Sequence, residues 1–271
     1  MYGRHVAGTR IRTIYHYLGL MGVNPRAGKR SIAGLPAFLK DRQSILREVK
    51  RLPWPEMDVL TVPYLNDRFS SSGSASGHYF HQDLFVAQKI HRAGPEVHVD
   101  VGSRVDGFVA HVASFRPIEV FDVRPSSASV DNIRFRELDI TAELPDEMVG
   151  YCDSLSCLHA LEHFGLGRYN DPVRIDGDVV ALRAMRKMVR PGGRFYLSVP
   201  IGTPRLEINA QRVYSAQSLL QHLERSWELV DLAYVGDDGA LRSGDAVDAR
   251  RLGDSFGCRF GCGIFELSPR D

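Results

Sequence analysis

From His78 onward the sequence alternates between short runs rich in β-branched and apolar residues and longer stretches with helical spacing. No other feature restricts the fold as much. The short runs are "EVHVDVG", "IEVFDV", "IRFRELDI", "GYCDSLSCLHAL", "RFYLSVPIG", "WELVDLAYVG" and "GCGIFELSP". Between them lie "HYFHQDLFVAQKIHRAG", with Phe80, Leu84, Ala87 and His91 near one face, then "DGFVAHVASF", "GDVVALRAMRKMVRPGG" and "SAQSLLQHLERS". Strands that alternate with helices build a parallel sheet covered on both faces. The expectation is a doubly wound, Rossmann-like α/β sheet of about seven strands. No clear helix separates the last two strands, only the polar segment 237–257. The final strand is therefore expected to run antiparallel, as a hairpin at the sheet edge. The fourth run is expected to pass from strand into helix at "LHAL".

The first 77 residues read differently. Residues 1–51 carry 11 Lys/Arg against 2 Asp/Glu, whereas the remainder is mildly acidic although the whole chain has a net charge of +1. This divides the chain into a basic, partly helical N-terminal extension with its linker (1–77) and an α/β domain (78–271). "LPAFLKDRQSILREVKRL" is expected to be helical, and the Ser/Gly-rich "LNDRFSSSGSASG" to be the linker. An acidic main body argues against a nucleic-acid partner. The apolar run from Ile14 to Val23 is too short to span a bilayer. Basic residues around Tyr15, Tyr17 and Leu20 suit at most a peripheral contact with an anionic membrane surface. With no secretory pattern, Cys152, Cys157, Cys258 and Cys262 are read as buried core residues, and a cytoplasmic location, at most peripheral to the inner membrane face, is expected.

In open parallel sheets, ligands collect beyond the carboxyl ends of the strands. The first strand here ends in Asp100-Val101-Gly102-Ser103, the second in Asp122-Val123, and the third in Asp139-Ile140. The spacing from Asp100 to Asp122 fits that of about 20 residues from a glycine turn to an acid that accepts hydrogen bonds from ribose hydroxyls. Asp139 can meet an adenine amino group, and Ile140 can pack on the ring.

Acidic strand ends in this order, followed by "CDSLSCLHALEHF" and "MVRPGGRFYLSVP", resemble the class I S-adenosylmethionine-dependent methyltransferases. In finer detail, "GHYFHQDLFVAQKI", "DVGSRVDGFVAHV", "CLHALEHFGLGRYNDP" and "FGCRFGCGIFEL" are similar to domain-of-unknown-function family 268. The resemblance covers roughly 78–267. It implies S-adenosyl-L-methionine as cofactor, held by Asp100, Gly102, Ser103, Asp122, Val123, Asp139 and Ile140, with Tyr79 and Gln82 near its methionine end. The first loop departs from D-x-G-x-G-x-G, with Arg104 and Asp106 at the later glycine positions. An NAD(P)-dependent oxidoreductase would suffer more from that departure, because it must bring backbone against a pyrophosphate.

The stretch "HALEH" matches H-x-x-E-H, a zinc-protease pattern. Its place after the fourth strand speaks instead for catalytic or substrate residues, so His159, Glu162 and His163 are the candidate catalytic group. One histidine would take a proton from an acceptor hydroxyl, and Glu162 would fix a tautomer. Small-RNA 3′-end methyltransferases and ubiquinone-pathway O-methyltransferases hold a divalent metal with E-x-x-E-H at this place. The present residues are similar, with His for the first Glu and Gln211 near the further ligand position. A divalent metal is thus an alternative that the resemblance leaves open. Arg168, Tyr169, Asn170, Asn209 and Arg212, with Asp171 nearby, are candidate acceptor-binding residues. The expected function is O-methylation of a hydroxyl-rich small molecule or glycan, such as a surface-polysaccharide intermediate. The alternative is a cofactor-binding scaffold without turnover.

Overall fold

The computed structural model describes residues 18–19, 21–51, 58–127 and 129–270. Tyr15, Tyr17 and Leu20 of the proposed membrane-contacting arm, with Arg10 and Arg12, lie outside the described residues. No described helix is long and apolar enough to cross a membrane. The chain separates into two compact units, Met1–Ser74 and Ala75–Asp271.

The described part of the first unit is dominated by helix α1, Pro25–Glu48. It begins ten residues before the stretch expected to be helical. Asn24 caps it by accepting a hydrogen bond from the Ala27 amide at 3.1 Å, and Pro25 stands where no amide partner is needed. Pro36 lies inside the helix without ending it. Gly34 is its one buried residue, because the Leu65 carbonyl oxygen would sit 2.2 Å from any Cβ there.

The second unit holds the sheet. Its helices are α2 (His78–Ala93), α3 (Ala110–Ala113, entered through a π-turn at Val105–Val109), α4 (Gly177–Met188) and α5 (Ala216–Leu223). Its strands are β1 (His98–Val101), β2 (Ile118–Asp122), β3 (Ile133–Glu137), β4 (Cys152–Leu158), β5 (Val189–Gly202), β6 (Arg205–Glu207), β7 (Gln211–Val213), β8 (Trp227–Val235), β9 (Leu241–Arg242) and β10 (Phe260–Pro269). The main sheet has eight strands in the order β3-β2-β1-β4-β5-β10-β8-β9, and β6-β7 form a separate hairpin. Strands β3, β2, β1, β4 and β5 are parallel. β10 is antiparallel to both of its neighbours, so the last long strand is reversed as expected. It is not at the edge, however. It inserts between β5 and β8, and the two-residue β9 closes the border. The reason is burial: nearly all of "GCGIFELSP" is covered, which an edge strand would not provide.

Two apolar layers cover the sheet. Met185, Met188, Leu197, Val199, Leu219 and Trp227 belong to one; Val86, Ile90, Phe108, Val112, Val120 and Ile264 belong to the other. All four cysteines are free and buried. Helix α2 does not use the face expected for it. Phe80 and Leu84 are exposed, whereas Gln82, Asp83, Val86, Ala87 and Ile90 are buried. Gln82 can face inward because its Oε1 accepts the Ser198 hydroxyl of β5 at 2.6 Å and its Nε2 donates to Asp83 at 3.1 Å. Hydrogen bonds offset the cost of burying this polar pair.

The parallel order reverses between β1 and β4: the chain adds β2 and β3 on one side of β1 and returns with β4 on the other. A ligand crevice is expected at the carboxyl end of that switch.

Candidate functional site

A cleft of about 1020 Å³, counted with its open mouth, lies at that switch. Its floor is the turn after β1. Gly102 adopts φ 74°, and its amide donates to the Phe121 carbonyl at 2.9 Å. A Cβ on Gly102 would meet the Cβ of Ala160 at 3.0 Å, so the turn is a cradle that only glycine leaves open. Val101, Phe121, Leu138 and Ile140 supply apolar wall, and Asp122, Val123, Asp139 and Thr141 the adjoining rim. Across the cleft stand His159, His163, Arg168, Tyr169 and Gln211, with Tyr79 and Arg104 at one end.

The strand-tip acids divide into two roles. Asp122 and Asp139 line the cleft. Asp122 receives the Arg124 amide and Nε, each at 2.8 Å, and the Arg124 side chain continues over the Tyr169 ring, 4.6 Å from its centroid. Asp139 accepts the Thr141 amide at 2.8 Å and hydroxyl at 2.7 Å through one oxygen. Asp100 has no exposed surface and does not reach the cleft. It accepts the Ser103 amide (2.9 Å), the Ser103 hydroxyl (2.6 Å) and the Ser156 hydroxyl (2.6 Å), and Ser103 Oγ in turn accepts the Leu158 amide. Asp100 and Ser103 therefore brace the β1 turn against β4. Burial pushes the Asp100 carboxyl up to about 6 despite these bonds.

"HALEH" is not a helix. His159 follows β4 with φ 50°, its amide donating to the Ser198 carbonyl at 2.9 Å, and only Leu161–His163 form a short 3-10 turn. A left-handed conformation without glycine is strained, and the β4–β5 pairing holds it in place. The two histidines therefore do not share a helical face, as a zinc protease of this pattern requires. His159 Nδ1 lies 2.7 Å from Glu162 Oε1. His163 Nδ1 donates to the Ala210 carbonyl at 2.6 Å, which leaves its Nε2 as the basic nitrogen. Glu162 is buried and does not line the cleft. Its Oε2, like His159 Nε2, has no hydrogen-bond partner among the described residues. Burial outweighs the attraction of Glu162 and holds His163 below the ordinary histidine pKa. For His159 burial opposes charge, but the Cys262 sulfur and Glu162 raise its pKa well above the usual value.

The remaining expected residues fall into two sets. Arg168 and Tyr169 form a wall of the cleft; the Tyr169 ring meets that of His163 edge-on at 5.5 Å. Asp171 organises their loop by accepting the amides of Gly165, Gly167 and Tyr169. By contrast, Asn170 and Asn209 occupy left-handed turn positions outside the cleft lining. Arg212 is buried and donates to the carbonyls of Glu162, Phe164 and Ile175, so it supports the loop from below. Gln82 is buried beneath the wall, bonded to Ser198. Arg124, Phe121, Leu138, Thr141 and Phe164 also line the cleft and were not singled out from sequence. Their signal was weak: each lies within a few residues of a strand tip, and only the turn geometry decides which side chains look inward. Gln211, near the further metal-ligand position, donates to Glu207 at 3.1 Å.

Residues 141–238 match the model of a family described as "Caenorhabditis protein of unknown function, DUF268". No curated protein matches the sequence. Among solved structures, the [4+2]-cyclase SpnF is 14% identical, with 88% of this chain and 95% of that chain covered and a TM-score of 0.50. The N-methyltransferase NodS from Bradyrhizobium japonicum WM9, in complex with S-adenosyl-L-homocysteine, is 15% identical over 84% of this chain and 98% of that chain (TM-score 0.46). The 1,6-didemethyltoxoflavin-N1-methyltransferase from Burkholderia thailandensis is 16% identical over 80% and 94% (TM-score 0.47). With its strand order and reversed last strand, the second unit has a Rossmann-like α/β fold similar to that of SpnF, and residues 141–238 within it match the model of domain-of-unknown-function family 268.

Proposed function

We propose that the cleft binds S-adenosylmethionine and that the protein transfers its methyl group to a hydroxyl of a saccharide-class acceptor, such as a surface-polysaccharide intermediate in the cytoplasm. One observation carries this reading. Asp122 and Asp139 line the same cleft as His159 and His163, across an apolar wall of Phe121, Leu138 and Ile140. The residues suit the cofactor: a carboxylate for ribose hydroxyls, an apolar slot for adenine, and the Gly102 cradle, which a Cβ would fill. Arg104, 5.0 Å from the Tyr79 ring and paired with Asp106, supplies a cation in the lining that could turn to an amino-acid carboxylate.

S-adenosylmethionine supplies an electrophilic methyl group on a sulfonium leaving group. The protein's task is to align the acceptor oxygen and take up its proton. His163 is the residue for that proton. Its Nδ1–H is fixed by the Ala210 carbonyl, and its lowered pKa keeps Nε2 unprotonated near neutrality. Arg168, Tyr169 and Gln211 offer donors and acceptors for a polyhydroxylated acceptor, which supports a glycan over a lipid or a flat aromatic.

Calorimetric titration with S-adenosylmethionine, S-adenosylhomocysteine and NAD⁺ tests the reading. The sulfur ligands are expected to bind and NAD⁺ is not, and Asp122→Ala should weaken binding at least tenfold. A wild-type protein that ignores both sulfur ligands would overturn the proposal. His163→Ala should bind S-adenosylhomocysteine normally while methyl transfer to a panel of glycans falls by about 10²–10⁴-fold. If transfer persists unchanged, His163 is not the base.

A further inference from the structure

Beside the cleft, three side chains from distant parts of the second unit converge. His78 opens α2, His159 follows β4, and Cys262 lies on β10. One ligand atom from each, imidazole nitrogen or sulfur, falls within 4.8 Å of the other two. We propose that His78, His159 and Cys262 form a binding site for a zinc-class divalent metal ion. This set differs from the His159, Glu162 and His163 set implied by resemblance, and it does not depend on the methyl-transfer reading.

Four observations support it. First, His159 Nε2 is buried and has no hydrogen-bond partner among the described residues, while its side chain is only 5% exposed. A buried ring nitrogen without a partner calls for an occupant. Second, Glu162 holds the opposite nitrogen of the same ring at 2.7 Å, the carboxylate–histidine arrangement that aims a metal ligand. Third, the His78 ring is stacked beside those of both His159 and Phe260, at centroid distances of 5.3 and 5.5 Å, which keeps it next to the other two ligands. Fourth, the donor types match: two imidazoles and one thiolate suit zinc, cobalt and related ions, not magnesium or calcium.

The charges also balance. Glu162 and a Cys262 thiolate together offset a divalent cation. In a tetrahedral site two imidazole nitrogens and one sulfur lie about 3.3–3.5 Å apart, given metal–nitrogen and metal–sulfur lengths of about 2.0 and 2.3 Å. Binding therefore draws the three inward by up to about 1.5 Å. His78 can supply much of that movement, since it is half-buried in the first turn of its helix and stacks on His159 with ring centroids 5.3 Å apart. Three protein ligands leave one position for an exchangeable ligand. His159 also lines the cleft, so the ion would sit in its wall. A nucleophilic role for Cys262 is less well supported, because that residue has no exposed surface and does not line the cleft.

The test uses the full chain, stripped with chelator and titrated with Co²⁺ under reducing conditions. One equivalent should bind and produce a thiolate-to-cobalt charge-transfer band, and Zn²⁺ should displace it. Cys262→Ser should abolish the band, and His78→Ala should weaken binding at least tenfold. Cys258→Ser, at a buried cysteine outside the triad, should leave the band intact. Glu162→Gln should keep the band but weaken affinity about 10–100-fold. Melting curves of the metal-free variants report folding. If Cys262→Ser does not fold, His78→Ala decides the matter from its half-buried position. No stoichiometric cobalt binding, or binding that His78→Ala leaves unchanged, would overturn the proposal. S-adenosylhomocysteine affinity measured on the same metal-free samples keeps a failure of the cofactor reading separate.

Discussion

Asp100 offers a quantitative test of how the site is supported. Its carboxylate is wholly buried, accepts three hydrogen bonds and has its pKa raised from 3.8 to about 6, with burial the largest cause. Between these two values the folded protein holds the proton more tightly than the unfolded chain. The neutral acid's contribution to stability is therefore fully present below pH 3.8 and is lost as pH rises to about 6. At about 1.4 kcal/mol per pH unit the loss is about 3 kcal/mol, with a flat region above. Asp100→Asn removes the titration. The amide oxygen can accept the Ser103 amide, while Ser103 and Ser156 reorient their hydroxyls toward its NH₂; the remaining mismatch is a constant offset. The informative quantity is thus the change in stability difference with pH. Urea unfolding of both proteins from pH 4 to 8 should show the variant gaining about 2.5 kcal/mol on the wild type, about 2 kcal/mol of it by pH 6 and almost none above pH 7. Curves that stay parallel across that range would refute the argument that burial controls this carboxyl.

Arg124→Ala should tighten S-adenosylhomocysteine binding up to about fivefold by calorimetry, because the half-exposed Arg124–Asp122 pair, about 1 kcal/mol, no longer competes for the carboxylate. Weaker binding would mean that Arg124 contacts the ligand. Gly165→Ala should destabilise the fold by about 3 kcal/mol or more: φ is 74°, and the new Cβ would lie 2.0 Å from the Arg174 carbonyl oxygen. An unchanged melting temperature would contradict that geometry. Asp171→Ala frees three loop amides and should raise the acceptor KM more than it weakens cofactor binding, with about 1–3 kcal/mol lost in stability. Equal effects on both ligands would show that the loop supports the whole cleft.

Much of the scaffold was legible because its signals are local. A strand of the parallel sheet is a short apolar run, and its carboxyl end marks where a ligand site forms, so Asp122, Asp139 and Ile140 could be placed from position alone. Pro191-Gly192-Gly193 signalled the end of α4 for the same reason, although the helix stops at Met188 and the triplet itself falls inside β5. The site's finer design was less legible. Asp100 and Asp122 look alike as strand-end acids, yet one is sealed under the turn and the other faces the cleft. The difference comes from Ser103 and Ser156, which converge on Asp100 from two strands.

The sequence by itself determined the alternation of strand and helix, the reversed direction of the last long strand, and the acidic tips at the carboxyl ends of β2 and β3. Tertiary structure alone decided that β10 enters the sheet interior, that α2 buries Gln82 instead of Phe80, and that Cys262 meets His78 and His159. Periodicity reports what each segment can bury within a few residues of itself. Which polar groups may be buried depends on partners brought from far along the chain, and only packing supplies those partners.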